Sequence, residues 1–243
     1  MKRNIISASA LALLAGSLIA ADSSPKDDLT AAAKKLADTG SYSWKATVDL
    51  GPNSQFTPGP TEGKTEKDGY TWLSVTFGDN TTEGVSKAGK VAVKTEDGWQ
   101  TAEEAGGGGG GGGFNAGRFM ARRMQDLKAP AAEVEDLASK AKEIKKDGDV
   151  YSGDLTEDGA KALLTAGFRR AGNGKAPAPT NAKGAVKFWM KDGVITKYES
   201  KVSGKRQNRD GDEVDVQRTT TVEIKDVGAT KVEVPEGAKK KLS

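Results

Sequence analysis

A chain of 243 residues that contains no His and no Cys has few groups able to do covalent chemistry. Nucleophilic triads and zinc sites are built mainly from those two residue types. Carboxylates remain. The stretch from Asn208 to Asp215 carries acids at Asp210, Asp212, Glu213 and Asp215 and superficially resembles part of a calcium loop. A helix–loop–helix calcium site needs Gly at its sixth place, Glu at its twelfth and helices on both sides. This run lies between two strand patterns, so it reads as a hairpin tip. Two carboxylates brought together by a fold could cleave a glycoside, but no spacing here singles out a pair. The Ser and Thr residues sit on strand faces without a nucleophile elbow. Eight consecutive glycines, Gly106 to Gly113, lack both the Gly-Lys-Ser/Thr ending and the strand–Gly-x-Gly-x-x-Gly–helix setting of a phosphate loop. They read as a flexible linker. The pairs Arg122–Arg123 and Arg169–Arg170 read as solvated helix surface, and no basic stripe interleaved with aromatics marks a nucleic-acid site. The expectation is a non-enzymatic chain with no catalytic residue, no metal site and no cofactor. Its function must then come from shape and burial.

The elements that provide shape are legible from periodicity. Asp27 to Thr39 is expected to be an amphipathic helix, with Leu29, Ala33 and Leu36 on one face, acids at its start and Gly40 at its end. Tyr42 to Leu50 alternates Trp44, Ala46, Val48 and Leu50 with polar residues, the period-2 pattern of a half-buried strand. Short strands follow to Thr101, with Asp–Gly turns at Asp68 and Asp97; another sits at Asp192. In Tyr70–Phe77, Trp72 falls on one face and Leu73, Val75 and Phe77 on the other. Helices are expected at 116–127, carrying Phe119, Met120 and Met124, at 131–146 after Pro130, and from Thr156 as N-cap to Phe168. Residues 171–182 read as a loop. In the closing strands Val186, Phe188 and Met190 share a face, Val194, Thr196, Tyr198 and Val202 share another, and Val222 and Ile224 repeat the pattern. A short strand is expected to end at Pro235. A sheet with one apolar and one charged face must have the apolar face covered, and the helices are the material available.

Met1–Asn4 followed by an apolar run from Ile5 to Ala21 has the form of a secretory signal peptide, with cleavage expected after Ala20 or Ala21. The product is then periplasmic or secreted, a single domain spanning 22–243 with a flexible poly-Gly insertion at 105–114. Without Lys2 and Arg3 the 37 basic residues fall to 35 against 34 acidic ones, which removes any charge argument for nucleic acid. With no Cys, neither disulfides nor a lipid-anchoring cysteine is available.

The stretch Ala185–Val234, with a Trp-bearing strand, the turn at Asp192 and Gly193, a second strand and a last strand reaching Asp226, Gly228, Val234 and Pro235, resembles the periplasmic lipoprotein-carrier (LolA-like) superfamily. That superfamily includes the lipoprotein localisation factors and the mycobacterial lipid-carrying lipoproteins. The resemblance implies an α+β fold: a curved antiparallel sheet, or half-barrel, with helices covering the concave face over a site for acyl chains. The function it implies is an exported binding protein for a lipid or the acyl group of a lipoprotein. The octaglycine run and the missing anchor cysteine depart from that pattern. The residues expected to line an apolar cavity are Trp44, Val48, Trp72, Phe188 and Met190 from strands, with Phe119, Met120 and Met124 from the lid. The alternative is a non-enzymatic scaffold or interaction protein of the envelope whose interior is filled core.

Overall fold

The computed structural model describes residues 23–52, 54, 57–78, 80–107, 115–167, 178–208 and 211–243. The expected leader, most of the octaglycine run and Phe168 lie outside these residues. The described chain runs α1 (Pro25–Thr39), β1 (Tyr42–Asp49), β2 (Thr61–Thr65), β3 (Tyr70–Phe77), β4 (Asn80–Lys87), β5 (Lys90–Thr95) and β6 (Gly98–Thr101). Then come α2 (Ala102–Gly107), α3 (Ala116–Gln125), α4 (Pro130–Lys140), β7 (Lys145–Asp147), β8 (Val150–Asp154) and α5 (Glu157–Gly167). The chain closes with β9 (Thr180–Lys191), β10 (Val194–Gln207), β11 (Glu213–Lys225) and α6 (Glu236–Leu242).

All eleven strands form one open sheet in the order β6-β5-β4-β3-β2-β1-β11-β10-β9-β8-β7. Every neighbouring pair is antiparallel. Two meanders, β1–β6 and β7–β11, are therefore joined where the first strand meets the last, with Trp44 opposite Ile224 and Val48 opposite Thr220. This connectivity explains the helical layer. The chain leaves the sheet at the β6 edge and re-enters at the β7 edge, so the segment between them must cross a face. It crosses as α2, α3 and α4, and the concave face of the curved α+β sheet is covered.

Local chemistry sets the element ends. The α1 helix begins two residues before the sequence expectation, because Ser24 and Asp27 form a capping box and Pro25 occupies the first turn. Gly40 ends it at φ +65°. At the β9–β10 tip, Asp192 and Gly193 both have positive φ, the conformation a two-residue hairpin requires.

Four expectations need correction. The helix expected over 131–146 stops at Lys140, and Lys145–Asp147 pairs with β8 as an edge strand. Two short helices were not anticipated. The first, α2, is announced by a Thr101/Glu104 capping box, Thr101 N–H donating to Glu104 Oε2 at 2.7 Å and Glu104 N–H to Thr101 Oγ1 at 3.2 Å. It takes in Gly106 and Gly107. The second, α6, starts after Pro235 and packs on the sheet face opposite the other helices, while the residues just before Pro235 form no strand. There Ala238 and Leu242 meet Val85 and Ala92, flanked by Tyr70, Trp72 and Trp99. Finally, a β-bulge between Ile195 and Lys197 shifts the register of β10. Ile195 is fully buried in consequence, while Val194 and Thr196 are only half-buried. Of the acid-rich run, Asp210 lies outside the described residues; Asn208 N–H donates to Asp212 O at 2.8 Å between β10 and β11, and Glu213 is already in β11.

Candidate ligand-binding face

The main core lies between the concave face and α1–α5. In the β1–β6 half it is tightly filled. A Cβ on Gly63 would stand 2.1 Å from the Trp44 ring, so the indole lies directly on the Gly63 backbone. A Cβ on Gly84 would stand 2.9 Å from Met124 Cγ and 3.1 Å from Met120 Cγ. The α3 methionines thus pack onto the glycine of β4, filling space that a side chain would otherwise take.

This packing sorts the residues expected to line a cavity. Trp44, Met120, Met124 and Phe188 are buried in the main core. Phe119 and Met190 are partly buried against it, and Val48 is half-buried. Trp72 is not brought to them at all. It sits on the other face with Tyr70, Trp99 and α6, because strand alternation sends it away from its neighbours Leu73 and Val75. Met190 lines a groove of about 430 Å3 between α1, the β7–β8 turn and the β9–β10 hairpin. None of the other seven lines that groove or a second one, of about 770 Å3, at the opposite end of β9–β11.

The smaller groove holds a set of polar groups that could suggest acid–base chemistry. Tyr151 Oη donates to Asp28 Oδ2 at 2.9 Å, Lys146 Nζ stands 3.1 Å from the same oxygen, and Ser23 Oγ donates to Asp28 Oδ1. Bonds from Ser23, Tyr151 and Lys146 hold the Asp28 carboxyl below the usual carboxylate range. Burial, partly offset by Lys146 and reinforced by Asp28, pushes the Tyr151 phenol up. A carboxylate satisfied by three donors is a weak base, and a phenol raised above its ordinary value is a weak nucleophile. The cluster ties α1 to the β7–β8 hairpin. The larger groove mixes apolar side chains, Leu50, Val214 and Val216, with Lys183, Lys205 and Arg206 against one acid, Asp215. Among the described residues, no group of three or more carboxylates is placed to hold a metal ion.

A third constellation lies under the helices themselves. Tyr198, 1% exposed, donates its Oη to Glu133 Oε2 in the first turn of α4 at 2.6 Å. Burial first, then the Glu133 charge, pushes this phenol well up, so it stays a donor. From β11, Arg218 donates Nη2 to the Leu163 carbonyl of α5 at 2.7 Å. Burial lowers the Arg218 pKa; Glu133 opposes that effect and Arg123, on α3, adds to it. Residues of α3, α4 and α5 thus bear on one buried guanidinium. Sequence reasoning placed Tyr198 on the apolar face but passed over Arg218. The signal was available: Arg218 shares the period-2 register of Val216, Val222 and Ile224, where a charge is out of place.

At the margin of this face Phe119, Leu127, Leu163 and Val216 are partly buried against the core. Phe77, 39% exposed, meets Phe119 with ring centroids 6.0 Å apart.

No family model and no curated protein sequence matches the chain. Among solved structures it is similar to LprF from Mycobacterium bovis, at 11% identity over 88% of this chain and 97% of that one, with a TM-score of 0.42. It is also similar to the Mycobacterium tuberculosis lipoprotein LppX, at 10% identity over 82% of this chain and 94% of that one, with a TM-score of 0.37. Both likenesses run over most of the chain.

Proposed function

We propose that the protein is an exported, non-enzymatic binding protein that holds the acyl chain of a lipid or acylated protein against its concave face, beneath a lid formed by α3 and α5. The observation that carries this reading is the apolar margin of that face. Phe119, Leu163 and Val216 are left partly buried, and Phe77, whose ring meets that of Phe119, is one of only two exposed large hydrophobic residues among those described. Such a margin marks a place where apolar surface awaits a partner. Each CH2 of a chain buried there contributes roughly 0.8 kcal/mol, so a dozen outweigh the loss of chain freedom. Trp44, Met120, Met124 and Phe188 form the packed wall behind the site, and Val48, Phe119 and Met190 its accessible part. The test is uptake of a fluorescent fatty acid by Val48→Glu and Phe119→Glu, with thermal melting as the control for folding. Loss of uptake at unchanged melting supports the site; full uptake in both variants removes it.

A second reading has its own observation. The seating of Trp44 on Gly63 and of both methionines on Gly84 leaves the β1–β6 interior filled. A scaffold or interaction protein of the envelope needs no more than that. It predicts that no fatty acid is taken up by the unaltered protein.

A further inference from the structure

We propose that Arg218 is the docking point for the anionic head of an amphiphile whose chain lies on the concave face. This rests on the acyl-binding reading above and adds to it the chemical class of the head group.

The surroundings of Arg218 are incomplete. Its Nη2 is bonded to a carbonyl, which carries no net charge, and its buried Nε has no hydrogen-bond partner among the described residues. The carboxylate that could have answered it, Glu133, is engaged by the Tyr198 hydroxyl at 2.6 Å. Arg123 brings a second positive charge to bear on the same guanidinium. A guanidinium taken out of water without a matching anion is costly. Its planar fork is shaped for two parallel bonds to a carboxylate or phosphate. A neutral head would leave the deficit in place, and a cationic one would add to it. The position also suits an amphiphile: Arg218 shares a strand face with the partly buried Val216, and its hydrogen bond reaches the backbone of Leu163, whose side chain belongs to the same apolar margin. Head and chain would therefore be read side by side.

The experiment is displacement of a neutral fluorescent acyl probe from the full chain by palmitate, methyl palmitate and lysophosphatidate. Wild type is expected to bind palmitate about tenfold more tightly than its methyl ester, the scale of one charge-assisted hydrogen-bonded pair. Arg218→Met should bring acid and ester to equal affinity without weakening the ester. Arg123→Gln, at an exposed position, should narrow the difference by a smaller factor. Whether palmitate or lysophosphatidate is preferred separates a carboxylate from a phosphate head. Equal binding of acid and ester by wild type, or an undiminished preference in both variants, overturns the docking point while leaving acyl binding in place. Failure of wild type to bind any of the three overturns the acyl-binding reading as well.

Discussion

Strands β1–β6 and strands β7–β11 pass beneath the same helical layer, yet their interiors are built differently. In the first half the strands are four to eight residues long. Glycines let Trp44, Met120 and Met124 settle onto the backbone, and α6 closes part of the outer face. In the second half β9, β10 and β11 run for 12, 14 and 13 residues. Both grooves lie along this half, one at each end of the long strands. Its concave face holds Tyr198, bonded to Glu133 of α4, and an incompletely satisfied Arg218. Close packing on glycine suits a region whose task is to hold the fold. Polar groups buried at a cost, beside partly covered apolar residues, suit a region that meets a ligand.

The comparison can be broken by substitution. Trp44→Ala should be the most damaging change, with a loss of about 3–5 kcal/mol on chemical denaturation, since it empties the space over Gly63. Gly63→Ala should cost about 3 kcal/mol, because its new methyl falls 2.1 Å from the indole. In the other half Gly184 is also closely approached, a Cβ standing 2.5 Å from Lys201 O, but at Gly204 the contacts with Leu164 Cδ1 and Thr180 O are at 3.0 Å, so Gly204→Ala should cost about 1–2 kcal/mol, less than Gly63→Ala. Equal losses at Gly63 and Gly204 would erase the distinction drawn here. Arg218→Met should alter stability by less than about 1 kcal/mol, or raise it, because it removes a desolvated charge rather than a satisfied one. The smallest effect is confined to acid. The Asp28 carboxyl is lowered in the folded state, so its contribution is present above the unfolded carboxyl pKa, about 3.9, and fades as pH falls through the lower folded value. Asp28→Asn should therefore flatten the stability–pH curve below about pH 4 and leave its slope at neutral pH unchanged. A melting series from pH 2 to pH 7 reads this directly.

Much of this architecture is written in local pattern. Alternation in Tyr42–Asp49 and Thr180–Lys191, the Asp–Gly turns and the cap at Gly40 each depend on neighbours close in sequence. The central pairing of β1 with β11 depends on residues nearly two hundred positions apart, which no local period reveals. The bulge after Ile195 takes Val194 and Thr196 off the face expected of them while Tyr198 and Val202 keep theirs, because one extra residue reverses the alternation across it. Trp72 was misplaced for a related reason. Its strand was recognised, but which of two apolar faces meets the helices is settled only once α6 covers the other. The polar part of the candidate site was legible in one respect, a lone arginine on an apolar register. That Glu133 and Leu163 would meet Arg218 and Tyr198 there follows from helix docking and not from spacing.

An acyl chain held on the concave face should survive purification without detergent. Extraction of such protein into organic solvent, with mass spectrometry of what is released, reads it out. The expected result is a near-stoichiometric amphiphile with an acidic head, reduced in an Arg218→Met preparation of equal stability. A clean extract, from a protein that also takes up no fluorescent fatty acid, would contradict it and leave the filled-core scaffold as the better description.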